Sequence, residues 1–478
     1  MLWLALHFPL FALETLSRGR VPRESVGAPW AIADGREVLA CDARAQALGV
    51  RPGIGLVAAW ALAPRLYVRQ RDEAAERAAL EGIAAWACRF TPYVSLEPPQ
   101  GVLMEIEDSL RLYHGLDALT GLMRDGLEEM GYSTTLAVAP AARGAWWLAL
   151  AGCEQSITDL ATLETALAAL PVAAVCLDQD AHGFLRSVGV ATVAELLALP
   201  REGVGRRLGR ALLESLERAS GRMPEPRTMF VPPTRFSAKL ELYGEVEHAE
   251  GVLFAARRLL VQLEGVLAAR QAGVRRFCLV LLHRAAPAHV VEVGLASPGR
   301  ATDRFMQLLR EKLSTIALSR PVEAIRIEAT AFEPLHGRTV GLFRDVHAER
   351  EDWVRLIERL QARLGGDAVH GLGVLAEHRP ERAWRALDAD EQPLREEARA
   401  GARPLWLIEP PRRLQEADGV PHDDGRLELL VGPERIESGW WDGGEVARDY
   451  FIARAPSSAL LWIFRERGGS WYLHGLFA

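Results

Sequence analysis

Lysine is almost missing from this chain of 478 residues: Lys239 and Lys312 are the only two, and the remaining positive charge is arginine. A GC-rich coding sequence explains that bias more simply than selection for phosphate contacts, so it assigns no function. Cysteine is scarce as well. Cys41, Cys88, Cys153, Cys176 and Cys278 are odd in number and form no C-x-x-C pair, which argues against a disulfide framework and a zinc site and for a reducing cytoplasm. The histidines show neither H-x-x-x-H nor H-E-x-x-H spacing, so no metal and no cofactor is expected. No apolar run approaches the length that crosses a bilayer, and the first residues lack a secretory pattern, so no membrane partner is expected. With a net charge of −7 there is no global positive field, and any nucleic-acid contact must come from a local patch. One further absence is local: no Asp or Glu precedes Glu14.

The length implies three or four domains. Leu2 to Leu6 is an apolar run expected to form a strand buried on both faces, and Pro9 fits the first turn of a helix. Short strands at Trp30 to Ala33 and Val38 to Cys41 flank Asp34-Gly35. Helices are expected at Asp42 to Leu48, Ala58 to Ala63 and Asp72 to Arg89, the last with Ala75, Ala79, Ile83 and Trp86 at helical spacing. A strand pair (Tyr93 to Leu96, Val102 to Ile106), a helix (Leu116 to Met130), a strand (Thr134 to Val138) and an apolar helix (Gly144 to Ala151) complete a mixed α/β domain over residues 1–160. Residues 161–232 read as all helix. Leu185 to Val190, with Thr192 and Leu196-Leu197, has the look of half a helix-hairpin-helix. The turn before it, Cys176-Leu177-Asp178-Gln179-Asp180, carries two carboxylates that would repel a phosphate, so packing is the favoured reading there.

Residues 234–335 give the order β-α-β-β-α-β, with strands at Phe236 to Leu242, Phe277 to Leu282, Val290 to Leu295 and Ala324 to Phe332, and helices at Ala249 to Ala269 and Thr302 to Ile316. Arg235, Lys239, Arg275, Arg276 and Arg326 fall on these strands, and residues 235–335 hold 14 basic against 11 acidic side chains. Such a sheet face could follow a phosphate backbone; a solvated polar face explains the charge equally well. Residues 336–402 read as a linking region, with a helix from Trp353 to Leu364 and a charged, mobile stretch from 377 to 402. From 403 to 478 strands alternate with turns, and the aromatics favour a small β-rich domain with its own core.

This multidomain α+β arrangement resembles, part for part, a Y-family translesion DNA polymerase over about residues 1–335. The parts would be a palm (1–160) with fingers inserted at about 15–70, a helical thumb and a ferredoxin-like little finger. Ala43-Arg44-Ala45-Gln46-Ala47-Leu48-Gly49-Val50-Arg51-Pro52-Gly53-Ile54 is similar to the family's fingers string, Y-E-A-R-x-x-G-V-x-x-G-M/I. Ser95-Leu96-Glu97 is similar to the start of its S-I-D-E palm motif.

The departures from that pattern fall at the positions where chemistry would occur. The family's polymerisation needs two divalent ions clamped by carboxylates. The Asp of its first strand falls on Ala5, and of the second acidic pair Glu97 is kept while Pro98 takes the other place. The nucleotide-holding Tyr and Arg of the fingers fall on Ala43 and Gln46, and the later Lys falls near Trp147. One Glu beside an Ala and a Pro should not hold a catalytic pair of Mg²⁺, which dehydrates reluctantly.

The resemblance is therefore to an inactive branch of the family, and the tail from Arg403 through Gly439-Trp440-Trp441 to Phe477 resembles that branch too. It implies an SOS-induced adaptor at the nucleoid that binds DNA and the sliding clamp, and joins a RecA-like partner to an error-prone C-family polymerase. The clamp peptide, of Q-L-x-L-F type, would be Thr339-Val340-Gly341-Leu342-Phe343, with Thr339 replacing the usual Gln and Leu342 and Phe343 as anchors. The alternative is an active polymerase whose metal site is rebuilt from Asp34, Glu105 or Glu107.

Overall fold

A computed structural model describes residues 1–19, 28–175, 179–284, 286–316, 318, 320–335, 346–387 and 402–477. The chain divides into two compact units, Met1–Arg363 and Leu364–Ala478. No helix among the described residues is long and apolar enough to cross a membrane.

The first strand β1 (Trp3–His7) is buried along its whole length, as its unbroken apolar run requires. The helix after it, α1 (Phe11–Ser17), begins two residues beyond Pro9, so that proline lies in the preceding turn rather than in the helix. A three-stranded subdomain follows, built from β2 (Trp30–Asp34), β3 (Glu37–Cys41) and β4 (Tyr67–Gln70), with α2 (Ala43–Ala47) and α3 (Leu56–Leu62) between the last two strands. The chain then returns through α4 (Glu73–Ala87), β5 (Val94–Glu97), β6 (Gly101–Glu105), α5 (Leu116–Met130), β7 (Thr135–Ala139) and α6 (Ala142–Leu150). The main sheet has the order β5-β6-β1-β7.

Strand alternation gives this sheet two different faces. Leu4, Leu6, Val102, Met104, Leu136 and Val138 pack on α4 and α5. Trp3, Ala5, Leu103 and Ala137 face the other way and share a cluster with Trp146 and Trp147 of α6. That second cluster runs on into five helices, α7 (Leu160–Ala168), α8 (Gln179–Ser187), α9 (Val193–Leu197), α10 (Arg201–Leu208) and α11 (Arg210–Ala219).

The β-α-β-β-α-β module consists of β8 (Phe236–Val246), α12 (Ala249–Ala269), β9 (Ala272–Leu282), β10 (His289–Gly299), α13 (Thr302–Ser314) and β11 (Val322–Ala329). Its sheet order is β10-β9-β11-β8, and a short β12 (Glu333–Pro334) pairs with β9. The apolar face of this sheet is covered by α12 and α13. The module is not an isolated bead. Helix α12 lies so close to α4 that a Cβ on Gly265 would stand 2.2 Å from Trp86 Cδ1, and α5 closes on the same ring from elsewhere, where a Cβ on Gly126 would stand 2.4 Å from Trp86 Cζ2. A Cβ on Gly82 would fall 1.8 Å from Gln262 Nε2. Trp86 is thus gripped between two glycines, and the palm and little-finger cores exchange residues: Ala85 joins the one, Val261 the other. The segment leading into the module is pinned as well, since Phe230 N–H donates to Val94 C=O at 2.7 Å on the palm's edge strand.

After the little finger, α14 (Val346–Leu364) is longer than its apolar residues announce, because its first two turns are charged. In the second unit, β13 (Gly371–Val374) pairs with β14 (Trp384–Leu387). The stretch expected to be mobile from residue 377 therefore begins inside a hairpin. Arg379 there is buried and donates to Glu377 (2.6 Å) and Asp442 (2.6 Å), so part of the charge in the stretch expected to be mobile is internal. The remaining strands are β15 (Trp406–Arg413), β16 (Gln415–Ala417), β17 (Val420–His422), β18 (Glu428–Ser438), β19 (Val446–Arg454), β20 (Leu460–Glu466) and β21 (Trp471–Leu476). They form a β15-β21-β20-β19-β18 sheet and a separate β16-β17 pair.

On one face of the five-stranded sheet Tyr450 stacks on Trp462 with centroids 4.1 Å apart, and Tyr450 Oη meets His474 Nδ1 at 2.8 Å. Burial pushes the His474 pKa down to about 4. An unfolded chain takes up this proton near the ordinary histidine value while the folded chain refuses it, so stability is lost as pH falls from about 6.5 toward 4. Hydrogen exchange in β20 and β21 is expected to accelerate over that interval, by up to about 3 kcal/mol in opening free energy, and His474→Gln should flatten the profile.

Candidate functional site in the palm

Ala5 stands in the middle of β1, opposite Leu103 on β6 and Ala137 on β7, and has no solvent exposure. Its face is roofed by α6: a Cβ on Gly101 would come within 2.3 Å of Trp146 Cζ3. Trp147 is buried in the same layer, where its indole packs and offers no cation. His7 completes the strand. Thr135 Oγ1 donates to Ala149 C=O (2.7 Å), so it accepts from His7 Nδ1 (3.1 Å), while the Gln100 amide donates to Nε2 (3.0 Å). Burial holds the His7 pKa below its usual value, in keeping with this neutral ring.

Glu97, at the end of β5, lies on the Ala5 side, and its carboxylate is fully engaged. Arg143 Nη1 from α6 donates to Oε1 at 2.7 Å, and Arg227 Nη1 donates to Oε2 at 2.8 Å. Glu225 closes the ring, accepting from Arg227 Nη2 at 2.9 Å and from Arg143 Nη2. Arg227 also reaches Ser95 Oγ at 3.4 Å. All four side chains are largely buried, Arg227 most of all at 7 % exposure. Burial alone would depress the Arg143 pKa, yet the Glu97 and Glu225 charges outweigh it and hold the group above the ordinary arginine value. Two acids and two guanidiniums make a neutral quartet. A divalent ion approaching Glu97 would meet a cation on each oxygen, so these donors do not fit Mg²⁺. Pro98, beside Glu97, brings no donor group.

The acids that could stand in are occupied elsewhere. Glu105 Oε1 accepts the backbone N–H groups of Leu2 and Glu107, each at 3.2 Å. Glu107 pairs with the N-terminal amino group, and Asp34 lies 3.5 Å from Arg71 in the fingers. Among the described residues no group of three or more His, Cys, Asp or Glu could hold a metal ion. In the fingers, Ala43 opens α2 behind the Asp42 cap, and Gln46 Nε2 turns back to Cys41 C=O at 3.2 Å.

The basic residues of the little finger do not form one positive face. Lys239, Arg276 and Arg326 project from the outer side of the sheet, but Glu241, Glu328 and Glu292 alternate with them there. The pairs are Lys239–Glu241 (3.5 Å), Arg326–Glu328 (2.7 Å) and Arg276–Glu292 (2.9 Å). Arg275 lies 3.0 Å from Glu333 near β12, and Arg235 is exposed just before β8. In the helical segment, the α9 N-terminus that could cradle a phosphate is filled by its own capping box: Glu195 accepts from Ala191 N–H (2.7 Å) and Thr192 N–H (3.0 Å). Thr339, Val340, Leu342 and Phe343 lie outside the described residues.

Arg143, Glu225 and Arg227 were not legible as site residues. The two signals were a single Arg in an otherwise apolar α6 and a Glu-Pro-Arg in a proline-rich connector.

The palm with inserted fingers, the helical segment and the βαββαβ module make this a polymerase-like protein with a further β-rich unit. No family model matches the chain. Among solved structures it is similar to a Dbh ternary complex (14 % identity, 69 % of this chain and 98 % of that one, TM-score 0.40). It is also similar to DinB from Sulfolobus solfataricus (15 % identity, 70 % and 100 %, TM-score 0.39). Protein ImuB from Caulobacter vibrioides, strains NA1000 / CB15N and ATCC 19089 / CIP 103742 / CB 15, is 30 % identical over 460 residues, which is 90 % of this chain and 100 % of the relative. The chain belongs to the ImuB family.

Proposed function

We propose that the chain is a non-catalytic, polymerase-shaped adaptor in SOS-induced, error-prone translesion synthesis. In this reading it binds DNA and the sliding clamp, and recruits an error-prone C-family polymerase together with a RecA-like partner (ImuA). The observation that carries the reading is the neutral quartet around Glu97: the one carboxylate retained from the metal site is bound by Arg143 and Arg227. The buried Ala5 beneath α6 supplies no second ligand from β1, the next strand but one from β5 on the same face. Because the outer sheet face is charge-balanced, DNA affinity should be modest and should rest on Arg235, Arg275 and the other little-finger cations acting with the partners.

Primer extension tests the proposal. Purified chain, given a primed template, all four nucleotides and Mg²⁺ or Mn²⁺, should extend nothing, before or after Ala5→Asp. Extension by the unaltered chain that Glu97→Ala abolishes would overturn the adaptor reading and restore the rearranged metal site.

A further inference from the structure

Strand β8 is an edge of the little-finger sheet, paired with β11 on one flank only. Among the described residues no backbone partner meets Phe236 to Leu240 on the other flank. Alternate residues of an antiparallel strand turn both N–H and C=O away from their neighbour, so this flank carries a row of open backbone groups. A groove of about 690 Å³ runs along it, walled by Ala74, Ala75 and Ala78 of α4, with Gln262 of α12 at its base. Val231, 80 % exposed, forms an apolar lip. At one end the groove stops against α1, where a Cβ on Gly19 would fall 1.8 Å from the Glu241 carbonyl oxygen. The open edge before that stop is about 17 Å of extended chain. A recess of this form admits one strand but not another sheet, which keeps an open edge from indiscriminate pairing.

Two buried side chains lining the groove lack what a strand would bring. Gln262, 6 % exposed, has no donor for Oε1, and its amide is held against α4 at Gly82. Arg18, 8 % exposed, donates from Nη1 to Met130 C=O (3.3 Å) but has no acceptor for Nε. A second guanidinium comes alongside: a Cβ on Gly131 would stand 2.6 Å from Arg258 Nη1 and 3.2 Å from Arg18 Cβ. Burial first, and then the Arg18 charge, bring the Arg258 pKa down to about 10. Glu14, close by, accepts from Ser133 N–H (3.0 Å) and balances at most one of the two. Positive charge is therefore left over at the α1 end of the groove. The acids lining the groove do not supply the balance. Asp72 caps α4, Glu241 pairs with Arg69 (2.8 Å), and Glu81 stands exposed at the rim. Because a buried cation without a counter-charge is costly, an arriving carboxylate gains more beside Arg18 than anywhere on the rim.

We infer that the groove between β8 and α4 is a docking site for an extended acidic peptide of a partner protein, which adds a strand to β8 and lays a carboxylate beside Arg18. Helix α4 covers the palm face opposite the one that carries Ala5 and Glu97, so the site is independent of whether the palm can copy DNA.

Fluorescence anisotropy of the full chain tests this with a labelled synthetic peptide, Thr-Val-Glu-Val-Thr, blocked at both ends, and its counterpart with Gln in place of Glu. The acidic peptide should bind about tenfold more tightly, and Arg18→Gln should remove that margin. Ala78→Trp, at an exposed position of α4, should fill the groove and abolish binding of both peptides with an unchanged circular dichroism spectrum. Hydrogen exchange over Phe236 to Leu240 should slow when the acidic peptide is added. Absence of binding at millimolar peptide, equal binding of the two peptides, or binding that survives Ala78→Trp would each overturn the assignment. So would edge amides already protected in the free chain, since another segment of the chain would then hold the groove.

Discussion

Trp86→Ala is expected to cost the first unit about 4 kcal/mol, the range for emptying a buried tryptophan site. The ring is held between Gly126 of α5 and Gly265 of α12, and neither helix can move inward without carrying a sheet with it. The loss should appear as a lower urea midpoint and as faster hydrogen exchange in α12, the helix that unites the palm and little-finger cores. Gly265→Val should act in the same direction from the other partner, since its Cβ would stand 3.0 Å from the Trp86 Cα, a backbone atom that cannot rotate away. A cost below about 1 kcal/mol for Trp86→Ala would mean that the two domains do not share this contact.

Arg227→Met is expected to be nearly as damaging, by about 3 kcal/mol, although it removes a surface-type residue from a connector. It leaves Glu97 and Glu225 facing the single guanidinium of Arg143, with a buried negative charge uncompensated. Neutralising the whole quartet (Glu97→Gln, Arg143→Met, Glu225→Gln, Arg227→Met) should recover most of the loss, because no charge then remains to be desolvated. Chemical denaturation of the single and fourfold variants separates the two cases. If Arg227→Met and the fourfold variant are equally unstable, packing rather than charge governs the site.

The parts that sequence reading reached are those with strong periodicity or a firm stop. Helix α5 ends where expected, at Met130, because Gly131 takes a left-handed backbone there, and α12 spans the expected residues because its apolar stripe continues through Ala269. Strands β9 and β10 run beyond their apolar cores because the ladder continues past the residues that alternate cleanly. Helix α14 begins before Trp353 because charged residues can extend a helix whose apolar face is already set.

Ala5 and Pro98, where the resemblance to the polymerase family places carboxylates, can be read directly from the sequence as residues without one, whereas the arginines that bind Glu97 cannot. Arg143 and Arg227 are far apart in the chain and meet only once α6 and the connector have folded over β5. The charge balance of the little-finger sheet was hidden for a related reason. A count over the whole module registers excess arginine, but only strand register reveals that Lys239, Arg276 and Arg326 each share their face with a glutamate.

The grip on Trp86 also bears on synthesis. About 180 residues separate it from Gly265, so a chain leaving the ribosome presents that ring, together with the small-residue surface around Gly82, well before the helix that covers them exists. During that interval the nascent palm is a sticky half-structure, and folding chaperones or slow translation would have their greatest leverage there.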